Sequence, residues 1–227
     1  MYDYSSASEF AVTPTDSAVA ERPSVLGMVL GLLGFASLFT AGGAFIAPLL
    51  GSSAFVISIV GSLGTLLALF AARDRSPLNL GLLYAFATFE GLALGLILES
   101  YLTIGMGTVM LNAALTTAAI TLSAGAYGYT TRRDLSGIGA FLTVGLIGVL
   151  VASFVGIFIQ QPLLYVAISA VAAVLFTGFL MYDLNRVAQS RGATQGEAIL
   201  LAVSVYLDVF NLFLALLQLF DFARRDD

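Results

Sequence analysis

Residues Val205 to Phe220 read VYLDVFNLFLALLQLF. Nearly every position prefers hydrocarbon to water, yet Asp208 sits among them. The apolar run to which this stretch belongs, 197–221, is about 25 residues long, and about 20 apolar residues at 1.5 Å each suffice to cross the hydrocarbon core of a bilayer as a helix. A carboxylate at mid-bilayer costs about 2.5–3.5 kcal/mol on insertion scales, so one that is kept there faces the interior of a bundle. The stretch therefore points to an all-α integral membrane protein, and it asks what Asp208 faces.

The rest of the chain has the same character. Of 227 residues, 59% are hydrophobic and 10% charged, with a mean hydropathy of +0.98. A soluble domain carries roughly 25% charged residues, so this chain could not cover its apolar surface in water. The 23 glycines fit a membrane bundle, in which small residues let helices approach closely. There is no cysteine and no histidine, which removes disulfide and thiolate chemistry, the commonest metal ligand and the usual general base near neutral pH. Any pH response in a useful range must come from carboxylates. Lysine is absent and all basic residues are arginine, a composition that fits a GC-rich bacterial genome. No cofactor and no nucleic-acid partner are expected.

Residues 1–22 are polar without an apolar period and are expected to form a disordered tail, with no basic stretch of the kind that opens a cleaved signal peptide. Residues 23–227 are expected to form one domain of seven transmembrane helices, at about 25–47, 52–72, 78–101, 105–130, 136–159, 163–187 and 197–221. The breaks between them, such as Arg73-Asp-Arg-Ser-Pro77 and Gln160-Gln-Pro162, are too short to hold a second domain. Arg22, Arg73, Arg75, Arg132, Arg133, Arg186 and Arg191 fall at one end of this arrangement and Arg224 and Arg225 at the other. The bias of arginine toward cytoplasmic loops puts the N-terminus in the cytoplasm and the C-terminus outside, in a bacterial inner membrane. A re-entrant last segment would gather all the arginines on one side, but its length favours a full span. A monomer is the expectation.

Three carboxylates lie within the apolar runs: Glu90, Asp183 and Asp208. In an ideal antiparallel hairpin, residues equidistant from the turn share a depth. The midpoint of 183 and 208 falls between Gln195 and Gly196, in the turn between helices 6 and 7, so the two aspartates can meet. Glu90 lies about 12 residues into helix 3 and Asp208 about 11 into helix 7, which gives them similar heights at 1.5 Å per residue. On helix 7, Ser204, Asp208, Asn211, Ala215 and Gln218 follow spacings of 4, 3, 4 and 3 and form one small-and-polar stripe. On helix 4, Asn112, Thr116, Ser123 and Tyr127 form another. Two such stripes suggest a hydrated path; the other reading of the neutral residues is interhelical hydrogen bonding.

Two carboxylates in a low-dielectric site cannot both ionise cheaply, and they titrate as a pair. The pair can share a proton, hold a cation or bind an arginine. Arg73, at the end of helix 2, is the best-placed arginine and a candidate latch. Ca²⁺ takes several hard oxygen ligands, which carboxylates and Asn211 supply. Protons, Arg73 and a cation would compete for the same oxygens, a recipe for a pH-gated cation path with Asp183 and Asp208 as its Ca²⁺ or H⁺ site and with Glu90, Asn112, Thr116, Ser204, Asn211 and Gln218 as candidate lining. Intramembrane aspartyl proteolysis also uses two membrane aspartates. Tyr182-Asp183 matches one half of that signature, but Val205-Tyr-Leu-Asp208 stands where GxGD is required and no Pro-Ala-Leu follows, so the chain is not read as an enzyme.

Four blocks occur in order: Phe86-Ala-Thr-Phe-Glu-Gly-Leu-Ala-Leu-Gly95, Tyr129-Thr-Thr-Arg-Arg-Asp-Leu-Ser136, Tyr182-Asp-Leu-Asn185 and Tyr206-Leu-Asp-Val-Phe-Asn-Leu-Phe213. Together they resemble the Bax inhibitor-1 family, the transmembrane Bax inhibitor motif proteins, from about Val25 to the end of the chain. The resemblance implies a bundle of seven helices with helix 7 at its centre and the other six around it, and a pH-sensitive calcium leak. It places the family's paired aspartates on Asp183 and Asp208 and its arginine after helix 2 on Arg73, with Glu90 inside the helix 3 motif. Eukaryotic members of the family restrain cell death, a role that a chain ending Arg224-Arg-Asp-Asp227 need not share. The expected function is thus a calcium-permeable leak channel. A regulator that binds other membrane proteins without ion flux, such as a protease or an apoptotic regulator, is the rival, and a proton-coupled antiporter is a third reading.

Overall fold

The computed structural model describes residues 24–190 and 192–225; the expected disordered tail lies outside them. The chain forms seven helices, α1 (Val25–Leu50), α2 (Ser53–Ala71), α3 (Leu78–Thr103), α4 (Gly107–Thr130), α5 (Ser136–Ile159), α6 (Pro162–Gln189) and α7 (Gln195–Arg225). Each is long and apolar enough to cross a membrane, and no strand occurs among the described residues. The seven spans fall where the apolar runs predict them. α1 runs three residues past its expected end, through Pro48. A proline in the last turn removes a single ladder bond, which is too little to stop the helix before Gly51, where the backbone turns to positive φ.

The helix ends are written in local chemistry. Ser24 caps α1, its Oγ accepting the Gly27 N–H at 3.1 Å. Pro162 opens α6 at a position where its missing N–H is harmless. Thr194 and Glu197 form a reciprocal capping box at the start of α7. The Thr194 N–H donates to Glu197 Oε2 at 2.8 Å and the Glu197 N–H to Thr194 Oγ1 at 3.2 Å. Between α4 and α5, Asp134 Oδ1 accepts the Ser136 N–H at 2.8 Å, and this bond holds the Asp134 carboxyl below its ordinary range.

α7 is one continuous helix of 31 residues, about 46 Å long at 1.5 Å per residue; it crosses the membrane and does not re-enter. It is also the central helix. In its most apolar window 56% of residues are buried, against 11–33% for the other six. α7 packs directly on α1, α3, α4 and α6, whereas α2 leans on α3 and α5 on α6. α2 and α5 therefore stand away from α7, and the space this leaves becomes the site described below. Apolar side chains such as Phe45, Leu49, Phe141 and Phe158 point outward, as hydrocarbon-facing positions require.

The closest helix crossings are made by glycine. Gly91 of α3 lies against the Thr40 carbonyl of α1, and Gly43 of α1 against the Thr88 carbonyl of α3, so tightly that neither position has room for a β-carbon. The Gly91-Leu-Ala-Leu-Gly95 motif is thus the α1–α3 contact. On the other side of the bundle, Asn185 of α6 ties down the α4–α5 turn. Its Nδ2 donates to the Gly128 carbonyl at 3.1 Å and the Arg133 carbonyl at 3.3 Å, and its Oδ1 accepts the Leu135 N–H at 3.3 Å and Gln189 Nε2 at 2.7 Å.

Candidate functional site

α6 and α7 form an antiparallel hairpin that brings Asp183 and Asp208 together, each 5% exposed, with their carboxyls within hydrogen-bonding reach of each other. The two differ in what else holds them. Asp183 Oδ1 accepts from Arg186 Nη1 at 3.1 Å, one turn along the same helix. Asp208 Oδ2 is buried with no hydrogen-bond partner. Buried polar atoms are rarely left unpaired, because desolvation without compensation is expensive, so this oxygen invites a proton or a cation.

The pair lies on the wall of a cavity of about 680 Å³. α6 and α7 supply one side of it, Leu146 to Ser153 of α5 a second, and Leu66 of α2 adds one residue to its lining. Ser204, Asp208, Asn211, Ala215 and Gln218 all line this cavity, so the polar stripe of helix 7 has one destination. Asn211 Nδ2 is held by its own helix, donating to the Leu207 carbonyl at 2.7 Å, which leaves its Oδ1 outside the ladder.

Other candidates lie elsewhere. Arg73 lies in the turn after α2, near the start of α7, where its carbonyl lies against Gly196 and accepts from Asn79 Nδ2 at 2.8 Å. Its guanidinium points outward and pairs with Asp74 at 3.3 Å, its side chain 59% exposed. The cation at the diacid is Arg186, which is half-exposed, lies over the Tyr182 ring at 5.6 Å and lines a neighbouring vestibule of about 780 Å³. Sequence reasoning counted Arg186 as a loop charge; its spacing of three from Asp183 on a helix was the available signal. Glu90 of α3 is half-buried on the side toward Ser62 of α2 and does not line the cavity.

The expected stripe of helix 4 is off by one position. Asn112, Ser123 and Tyr127 are exposed and Thr116 only partly covered, and none of the four lines the diacid cavity. The inward face carries Val109, Ala113, Thr117, Ala124 and Gly128. Small residues win that face because α4 must come close to both α6 and α7, and the hydroxyls and amide beside them are left to the periphery.

Among the described residues no cluster of three or more acidic side chains could grip a metal ion. A cation here would meet two carboxylates, neutral oxygens of Asn211 and Ser204, and water. Ca²⁺ takes six to eight oxygens, so the protein's own groups here would hold it incompletely.

The sequence matches the family model described as inhibitor of apoptosis-promoting Bax1 over residues 22–225. It is 34% identical over 178 residues to the modulator of FtsH protease YccA of Escherichia coli, covering 78% of this chain and 80% of that protein. It is 35% identical over 168 residues to the Golgi anti-apoptotic protein of vaccinia virus, covering 74% and 68%, and 33% identical over 170 residues to protein lifeguard 4 of Mus musculus, covering 75% and 69%. With seven membrane helices around a buried aspartate pair and a family match along almost its whole length, the chain belongs to the Bax inhibitor-1 family.

Proposed function

We propose that the protein is a pH-sensitive, calcium-permeable leak channel of a bacterial inner membrane, with its N-terminus in the cytoplasm, its C-terminus outside, and the Asp183–Asp208 pair as its gate. The observation that carries this reading is the buried Asp208 oxygen without a partner, facing a second carboxyl on the wall of a polar-striped cavity. Three occupants compete there. A shared proton halves the charge of the pair and a second neutralises it, Arg186 satisfies Asp183 alone, and a Ca²⁺ ion takes both carboxylates. Falling pH fills the pair with protons and releases both Arg186 and cation from it. Arg73 is a second latch in a state in which it leaves Asp74.

The test is calcium flux into liposomes containing an indicator, measured across pH for the native protein and for Asp183→Asn plus Asp208→Asn. The native flux changes with pH and the double variant loses that dependence. Identical flux from both proteins at every pH would sink the mechanism. Coupled, saturable proton movement would instead mark an antiporter.

A second reading is favoured by the name of the Escherichia coli relative, a modulator of FtsH protease. α2 and α5 have only 17% and 11% of their apolar windows buried, so their outer faces could bind another membrane protein. Cross-linking of the diacid double variant to a membrane protease, retained when flux is lost, separates this role from the leak.

A further inference from the structure

The diacid cavity is the middle one of three that lie in file along α7. The vestibule at the α6–α7 turn, with Arg186, Gln189 and Glu197 in its wall, meets the middle cavity at Leu66, Ser204 and Leu207, which line both. A third cavity of about 510 Å³ lies at the opposite end of the bundle, by the α5–α6 turn, and is lined by Gln160, Tyr165 and Asp221 among others. The middle and third cavities have one residue in common, Gln218. At that point Ser169 Oγ of α6 donates to Gln218 Oε1 at 2.6 Å. Ser169 is 2% exposed, fixed in the α6–α7 contact, while Gln218 is exposed and lines both cavities.

The two partners are therefore unequal. The serine cannot leave, and the glutamine has three side-chain torsions and room to turn. One neutral hydrogen bond between membrane helices is weak enough to break and remake. While it holds, the amide stays at the one residue the two cavities have in common. When it breaks, the amide oxygen is available to a dehydrating cation, for which it is a suitable hard ligand.

We infer that Gln218 and Ser169 form a second constriction, on the far side of the cavity from Arg186, which closes the passage to the α5–α6 end when bonded and coordinates the passing cation when open. Its role in conduction rests on the leak reading above; the closure itself is a matter of access and is tested separately.

The chain contains no cysteine, so a single Leu146→Cys, in the wall of the middle cavity on the aspartate side of Ser169, is a clean reporter. In sealed vesicles of each orientation it is exposed to a charged, membrane-impermeant methanethiosulfonate. From the α5–α6 face it reacts slowly. Adding Ser169→Ala or Gln218→Ala raises that rate about tenfold, as expected for losing one closing hydrogen bond, while the rate from the other face is unchanged and shows that the bundle is intact. Equal rates from the α5–α6 face in the parent and both variants overturn the constriction. Calcium flux in the same vesicles rises in both variants. Raised labelling with no flux in any of them, at any pH, keeps the constriction and removes the leak reading.

Discussion

Asp183 and Asp208 share a depth and a cavity, but only Asp183 has a cation of its own. This asymmetry makes a prediction at the level of the single residue. Arg186→Gln takes away the tethered competitor, so protons win the pair more easily and the midpoint of the flux–pH curve moves up by about one unit, the lower end of what an adjacent opposite charge does. Arg73→Gln leaves the midpoint in place if Arg73 keeps its outward bond to Asp74; a shift with Arg73→Gln and none with Arg186→Gln would return the latch to helix 2. Asn185 sits two residues from the diacid and has a different task. Asn185→Ala leaves the carbonyls of Gly128 and Arg133 and the Leu135 N–H without their partner, at a cost of about 2–3 kcal/mol. Thermal unfolding in detergent shows it as a lower midpoint, while flux per folded molecule stays near native.

At the scale of elements, the bundle is held by two tight pairs, α1 with α3 and α4 with α6, clasped around α7. The first pair depends on bare backbone contact at Gly91. A methyl group there meets the Thr40 carbonyl, which is rigid and cannot step aside, so Gly91→Ala pushes the helices apart. Overpacking of this kind costs about 1–3 kcal/mol. Gly31→Ala, where nothing lies within reach of the added carbon, is the control. Unfolding in a graded detergent mixture separates the two, and equal midpoints would show that α1 and α3 can yield at this crossing. α2 and α5, by contrast, touch little beyond one neighbour each, and the cavity exists because they stand back from α7.

For the whole molecule, the odd number of spans puts the two ends of the described chain on opposite faces, and the arginines mark them unequally. Arg73, Arg75, Arg132, Arg133 and Arg186 gather at the face holding the start of α1, with Arg224 at the other. The positive-inside bias predicts that Ser76→Cys, in the α2–α3 turn, and Ser136→Cys, at the start of α5, both at the first face, react with an impermeant maleimide only after the cells are opened. Ser52→Cys and Gln161→Cys, at the second face, react on intact spheroplasts. The reverse pattern would invert the orientation.

Much of this was legible in the sequence. Seven apolar runs of sufficient length broken by Pro, Gly and Arg dictate seven helices, because backbone polar groups in lipid must be satisfied within the segment. The hairpin spacing of Asp183 and Asp208 dictates their meeting, since two helices joined by a short turn leave little freedom of register. Rotation of a helix about its own axis is less well marked. On α7 the polar stripe was narrow and the rest Leu and Phe, so its face was readable; on α4 the polar and small stripes lie side by side, and only packing against α6 and α7 chose Ala113 and Thr117 over Asn112 and Thr116. The arginines are a different case. By sequence Arg73 is the best-placed arginine and Arg186 a loop charge, but both settle on local partners: Arg73 on the adjacent Asp74, and Arg186 on Tyr182 and Asp183 one turn back on its own helix. Sequence by itself determined the number of spans, their hairpin register and the need for a charged interior. Tertiary structure decided which face α4 turns inward, where the cavity opens and what divides it, because these depend on gaps between helices that are not neighbours in the chain.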